Sequence, residues 1–109
     1  MGRPKRIFTF EEARRLLPSV RARTSEALDA LAALENGGGE EHGEARRRAG
    51  SGIFEAWVRD VESLGIEVKG PWLVDFDSGA GYYCWRWPEE SLDFYHGYEE
   101  GFAGRVRIQ

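Results

Sequence analysis

The 109 residues and 12.4 kDa of this chain fit one domain with a single modest core, because a domain of this size buries roughly two thirds of the surface its unfolded chain exposes. Hydrophobic residues at 41% and charged residues at 31% exclude the disordered class, and no apolar run reaches the roughly 18 residues a membrane helix needs, so no membrane is expected as a partner. The net charge of -4 and pI near 5.2 leave no basic face for nucleic acid, and the "MGRPKR" start lacks an apolar stretch, so the cytosol is the expected location.

The chain opens with helical signals. Thr9 precedes Glu12 by three residues, a capping box, and Phe8 sits where the residue before the cap packs onto the first turn. Ala13, Leu17, Val20, Thr24, Ala27, Leu31 and Leu34 then recur at spacings of four and three, which predicts an amphipathic helix over 10 to 35, with Pro18 inside it as a bend. The glycines of "ENGGGEEHGE" break it, and Ile53, Phe54, Trp57, Val58, Val61 and Leu64 resume the same spacing, so a second helix returns beside the first. "RRRAGSG" reads either as its first turns or as a frayed loop. Gly65 is its expected left-handed cap.

From residue 65 the composition changes. Ten of the fourteen aromatics lie there, with eight acidic residues against four basic ones, whereas residues 1 to 64 carry eleven of each. "IEVK" (66 to 69), "WLVDF" (72 to 76), "GYYCWRW" (81 to 87) and "LDFYH" (92 to 96) are aromatic and β-branched runs between turn residues. The predicted fold is therefore α+β: a long N-terminal helical hairpin (9 to 64), then an antiparallel meander of three to four strands and a C-terminal tail (65 to 109). A four-residue loop "PEES" would set Trp87 opposite Leu92, Trp85 opposite Phe94 and Tyr83 opposite His96. "DSGA" would set Trp72 opposite Trp85 and Val74 opposite Tyr83. One face is then apolar and covered by the helices; the other collects Leu73, Asp75, Tyr82, Cys84, Arg86, Asp93 and Tyr95, with Arg86 opposite Asp93.

"FTFEEARRLLPSVR", "GIEVKGPWLVDF", "YYCWR" and "YHGYEEGFAGR" resemble, in that order, the small bacterial and archaeal proteins of the domain of unknown function 2203 family. The resemblance implies no particular reaction. It implies that Asp75, Arg86, Glu89, His96 and Arg105 stand where that family's ionisable residues stand. Asp77 departs from the family's usual Pro and Asp93 from its usual Gly.

Each candidate has a plain structural alternative. A single cysteine makes no internal disulfide, and Cys84 within an aromatic strand reads as a small buried hydrophobe, with His96 directed to the opposite face. Asp75, Glu89, Asp93, Glu99 and Glu100 with His96 match no metal-ligand spacing, so neither a metal nor another cofactor is expected. Arg105, between glycines in "GFAGR", meets either a carboxylate of the sheet or a ligand anion. The expected function is a binding and assembly module, with catalytic residues unknown. It forms a homodimer through the hairpin and presents the polar sheet face and tail to a small anionic ligand or a protein partner. The alternative is a small acid/base or divalent-metal-dependent enzyme using Asp75, Glu89 and His96, with Arg86 and Arg105 as anion clamps.

Overall fold

The computed structural model describes residues 6–37 and 43–108. The glycine-rich connection expected between the helices falls largely at 38–42, and most of the basic start at 3–5, outside those residues. Helix α1 spans Phe10–Gly37 and helix α2 spans Gly43–Glu62. The capping box is formed in both directions: Glu12 N–H donates to Thr9 Oγ1 and Thr9 N–H to Glu12 Oε1, each at 3.0 Å. Phe8 is buried just before the cap; its N–H donates to the Asp77 carbonyl at 2.7 Å, and its ring meets Phe76 edge-on at 5.3 Å. The entry to α1 is thereby tied to the sheet.

The helix runs on through Pro18, which is exposed. "RRRAGSG" belongs to α2, and Gly65, at φ 86°, ends the turn after it, where any side chain would be strained. The five strands are β1 (Glu67–Gly70), β2 (Leu73–Asp77), β3 (Tyr82–Arg86), β4 (Phe94–His96) and β5 (Val106–Arg107), antiparallel and adjacent in chain order. The sheet thus has one strand more than predicted. β5 is two residues long, too short for any alternation to reveal it.

Helix residues Ala13, Leu17, Val20, Trp57 and Val61 share one core with Val74, Phe76 and Trp85 on the facing side of the sheet. Between β2 and β3, Val74 pairs with Trp85 and Phe76 with Tyr83. The pairs are displaced by two residues from those expected, which leaves every side chain on its expected face. Between β3 and β4 the register differs by one. Tyr82 faces His96, Tyr83 faces Tyr95 and Cys84 faces Phe94, so His96 joins the side of Cys84 and Asp75.

The cause lies in the loop. Glu89 Oε1 accepts the Arg86 N–H at 2.9 Å, the Glu89 N–H returns to the Arg86 carbonyl at 2.9 Å, and Trp85 Nε1–H donates to the Glu89 carbonyl at 2.8 Å. These bonds keep Arg86 out of the β3–β4 ladder, which ends at Cys84 opposite Phe94, and seven residues instead of four connect the strands. The expected pair of Arg86 and Asp93 is therefore not formed: Arg86 lies opposite Leu73 of β2, and Asp93 meets Arg107 at 3.8 Å.

Thr24, which sequence spacing placed in the apolar stripe, joins the two helices. Its hydroxyl donates to the Val20 carbonyl at 2.8 Å and accepts from Trp57 Nε1–H at 2.9 Å. Thr24→Val would leave that buried indole N–H unpaired and should destabilise the fold by about 1–3 kcal/mol in urea denaturation, whereas Thr24→Ser should stay within about 1 kcal/mol of wild type. Equal stability of the two variants would show that the bond contributes nothing.

Candidate functional site

The second face of the sheet was expected to meet solvent. The tail after β4 covers it instead. Gly97 N–H donates to Glu100 Oε1 at 2.8 Å, and Gly101, at φ 68° and ψ -171°, reverses the chain in a conformation essentially confined to glycine. A single 3-10 turn, Phe102–Gly104, then brings Phe102 and Arg105 over the strands. Tyr98 fastens the same segment: its hydroxyl donates to Asp77 Oδ1 at 2.7 Å.

Under this cover lie three buried groups from three neighbouring strands: Asp75 of β2 at 2% exposure, Cys84 of β3 at 0% and His96 of β4 at 3%. Asp75 and Cys84 are a cross-strand pair, and one potential donor atom from each of the three lies within 4.8 Å of the others. His96 Nδ1 is 2.7 Å from the Gly97 carbonyl, which only accepts, so Nδ1 carries a proton. His96 Nε2 is 3.0 Å from Asp75 Oδ2. One further proton must lie between those two atoms, since bare lone pairs at that distance would repel. The pair is therefore either a carboxylic acid donating to a neutral imidazole or a carboxylate accepting from an imidazolium. Burial raises the Asp75 carboxyl above its ordinary range, against the opposing pull of His96. Its other oxygen, Oδ1, is buried with no hydrogen-bond partner among the described residues, an arrangement that ordinarily costs about 1–3 kcal/mol.

Arg105 borders the cluster. Its guanidinium binds Glu89 through two bonds, Nη1 to Oε1 at 3.1 Å and Nη2 to Oε2 at 2.5 Å, and Nη1 lies 3.8 Å from Cys84 Sγ. Its plane is held between Phe94 at 3.9 Å and Phe102 at 4.2 Å. The carboxylate that Arg105 meets is thus Glu89 of the loop between β3 and β4 and not one of the sheet. Arg86 is exposed, with its guanidinium 5.4 Å from the Phe102 ring. The five candidates thus fall into two pairs, Asp75 with His96 and Glu89 with Arg105, with Cys84 between them and Arg86 outside.

A cavity of about 230 Å³ lies against the cluster, lined by Lys69, Leu73, Tyr98, Gly101 and Phe102 as well as the three buried groups. Sequence reasoning did not select Lys69, Tyr98 or Phe102. Lys69 had one readable signal: it alternates with Glu67, whose partner across β1 and β2 is Asp75, so both lie on the second face. Lys69 Nζ sits 3.2 Å from Glu67 Oε1 and 4.4 Å from the centre of the Tyr82 ring.

Residues 6–108, nearly the whole chain, match the family model described as "Uncharacterized conserved protein (DUF2203)". The chain belongs to this family. No curated protein and no solved structure matches it. Set against the DUF2203 pattern, the departure at Asp77 has a visible use, because its carboxylate takes both the Tyr98 hydroxyl and the Gly79 N–H, the latter at 2.9 Å. The departure at Asp93 supplies, among the described residues, a surface contact with Arg107.

Burial, reinforced by the neighbouring Asp75 charge, pushes the Cys84 thiol from its ordinary 9.0 up to about 12. At pH 8 only about one native thiol in ten thousand is then ionised. Iodoacetamide should leave the native chain unmodified at that pH and alkylate one cysteine per chain after denaturation, as read by mass spectrometry. The folded value is raised, so this group's share of stability is complete below pH 9 and is lost as pH rises from 9 toward 12. Rapid stoichiometric alkylation of the native chain would show that the thiol is open.

Proposed function

We propose that this protein is a small binding module that pairs with a second copy through the far part of its helical hairpin and holds a small ligand in the cavity beneath its tail. The observation that carries the ligand reading is the cavity itself, set against buried ionisable groups from three strands. Lys69 is the cation on its wall, and an anionic group entering beside Tyr98 and Phe102 would meet it first. Addition of inorganic phosphate, small carboxylates or nucleotides to chelator-treated protein should raise the thermal midpoint for at least one class, and Lys69→Met should reduce that rise. A flat response to the whole panel would remove the anionic-ligand part of the proposal.

The assembly reading rests on where burial ends. The last fully buried residue of α1 is Thr24 and the first of α2 is Trp57, so Leu28, Leu31, Leu34 and Ile53 are only partly covered within one chain. At 1.5 Å per residue the 28 residues of α1 run about 42 Å, while five strands spaced about 4.8 Å apart span only about 19 Å. The hairpin therefore projects beyond the sheet, in keeping with a longest dimension of 49 Å. A second hairpin packed at a shallow angle would cover the projecting leucines. Light scattering at micromolar concentration should give about twice 12.4 kDa, and Leu31→Glu should give the monomer with an unchanged circular dichroism spectrum. A wild-type monomer would end this part of the proposal.

One observation favours a second reading, acid/base catalysis: the proton between Asp75 and His96 lies in a cluster that lines a cavity. Glu89 and Arg105 fit that reading less well, since each is taken by the other. Turnover of a ligand found by the panel, lost in His96→Gln, would favour catalysis over binding alone.

A further inference from the structure

Asp75, Cys84 and His96 form a donor set of one oxygen, one sulfur and one nitrogen, held by strands β2, β3 and β4 side by side. We infer that this cluster is a binding site for a divalent transition ion of the zinc class, with Asp75, Cys84 and His96 as its three protein ligands. The inference rests on the binding-module reading above and names an occupant for the floor of the same cavity.

Four features carry it. The first is the donor chemistry, because a thiolate and an imidazole together suit zinc, cobalt or nickel and do not suit magnesium or calcium, which take oxygen. The second is spacing. Ligand atoms around a tetrahedral zinc ion lie about 3.4–3.6 Å from one another. The donors lie within 4.8 Å in this structure, with His96 Nε2 and Asp75 Oδ2 at 3.0 Å, so side-chain shifts of about 1 Å complete the geometry.

The third is the orientation of the imidazole. His96 donates Nδ1–H to the Gly97 carbonyl, which leaves Nε2 as the free donor and points it at the cluster; metal-bound histidines are oriented by the same kind of bond. The fourth is Asp75 Oδ1, a buried acceptor that no hydrogen bond of the described residues reaches, while the weakly donating Cys84 thiol is the carboxylate's neighbour besides His96. Charge is consistent as well. A carboxylate, a thiolate, a neutral imidazole and a divalent ion sum to zero, so binding releases the proton between Asp75 and His96 and the thiol proton without leaving a net charge in the interior. Arg105, 3.8 Å from Sγ and fixed by Glu89, stands where it steadies the sulfur. Three ligands leave one position of a tetrahedron for water or for a donor atom of a ligand in the cavity.

The test uses the full chain without an affinity tag, stripped with a chelator and titrated with cobalt(II). The chain has one cysteine, so a thiolate-to-cobalt charge-transfer band in the near ultraviolet reports on Cys84 alone. The expected result is a band that saturates at one cobalt per chain, disappears with excess zinc, is absent in Cys84→Ala and is at least tenfold harder to saturate in His96→Gln. If Cys84→Ala fails to fold, the wild-type titration still decides. No band in folded wild-type protein overturns the inference, as does a band that survives Cys84→Ala. The organic panel, run with chelator present, separates this result from the broader reading. A midpoint rise there without a cobalt band leaves the binding module standing and removes the metal; a cobalt band with a flat panel keeps the metal and removes the anion.

Discussion

A carboxyl group buried in the middle of a five-stranded sheet needs a partner that shares its proton or its charge, and Asp75 has that partner in His96. Much of the sheet's second side is arranged around this bond. β4 must pair with β3 so that His96 falls on the face of Asp75, which sets Tyr82 opposite His96 and Cys84 opposite Phe94. The chain must then turn at Gly97, whose carbonyl holds the imidazole and whose N–H is taken by Glu100. From that turn the tail runs back over the strands, and β5 closes it against β4.

The two faces of the sheet are held by different physics. On the helix side, apolar side chains from α1, α2 and the strands form one core, and the hydrogen bond from Trp57 to Thr24 satisfies the one buried indole that crosses between the helices. On the tail side no layer of secondary structure is thick enough for that. Arg105 between two rings, bound to Glu89, and Tyr98 bound to Asp77 hold the tail by directed contacts, while Tyr98 and Phe102 remain partly exposed. A segment held by a few polar contacts and little apolar burial opens at a lower free energy than the sheet beneath it. The cavity therefore sits under a segment that opens more cheaply than the sheet.

Both helices, the capping box at Thr9 and Glu12, the cap at Gly65 and the faces of β2 and β3 were legible because each follows from a local rule: a spacing of three and four, a side-chain period of two, or a glycine where φ is positive. The register of β4 was not legible, because a loop's parity depends on what its residues bond to. In the sequence Glu89 is a candidate ligand or acid/base carboxylate, and nothing in "PEES" reveals that its backbone and side chain would bind Arg86 and Trp85. The burial of the second face was hidden for a related reason. An alternating strand looks the same whether its polar side meets water or a tail, and β5, at two residues, has no period to read. The register miss fell on His96, which the expected pairing directs away from Cys84, whereas the burial expected of Cys84 is what the structure has.

Stability alone does not account for the cluster. A buried hydrogen-bonded pair of ionisable groups is often no more stable than apolar side chains of the same volume, and an unpartnered carboxylate oxygen counts against the fold. Thr24 makes the contrast clear: it is also polar and fully buried, yet its hydroxyl has both a donor and an acceptor partner, and the helix packing needs it. Asp75 has one strong partner, His96 at Oδ2, with only the weakly donating Cys84 thiol beside it and Oδ1 unbonded among the described residues. Leu, Val and Ala in place of Asp75, His96 and Cys84 would extend the apolar core through the sheet with no polar group left to satisfy. A sheet that carries the charged alternative at its centre, beside a cavity and under a tail that opens cheaply, has the arrangement that the proposed ligand site requires.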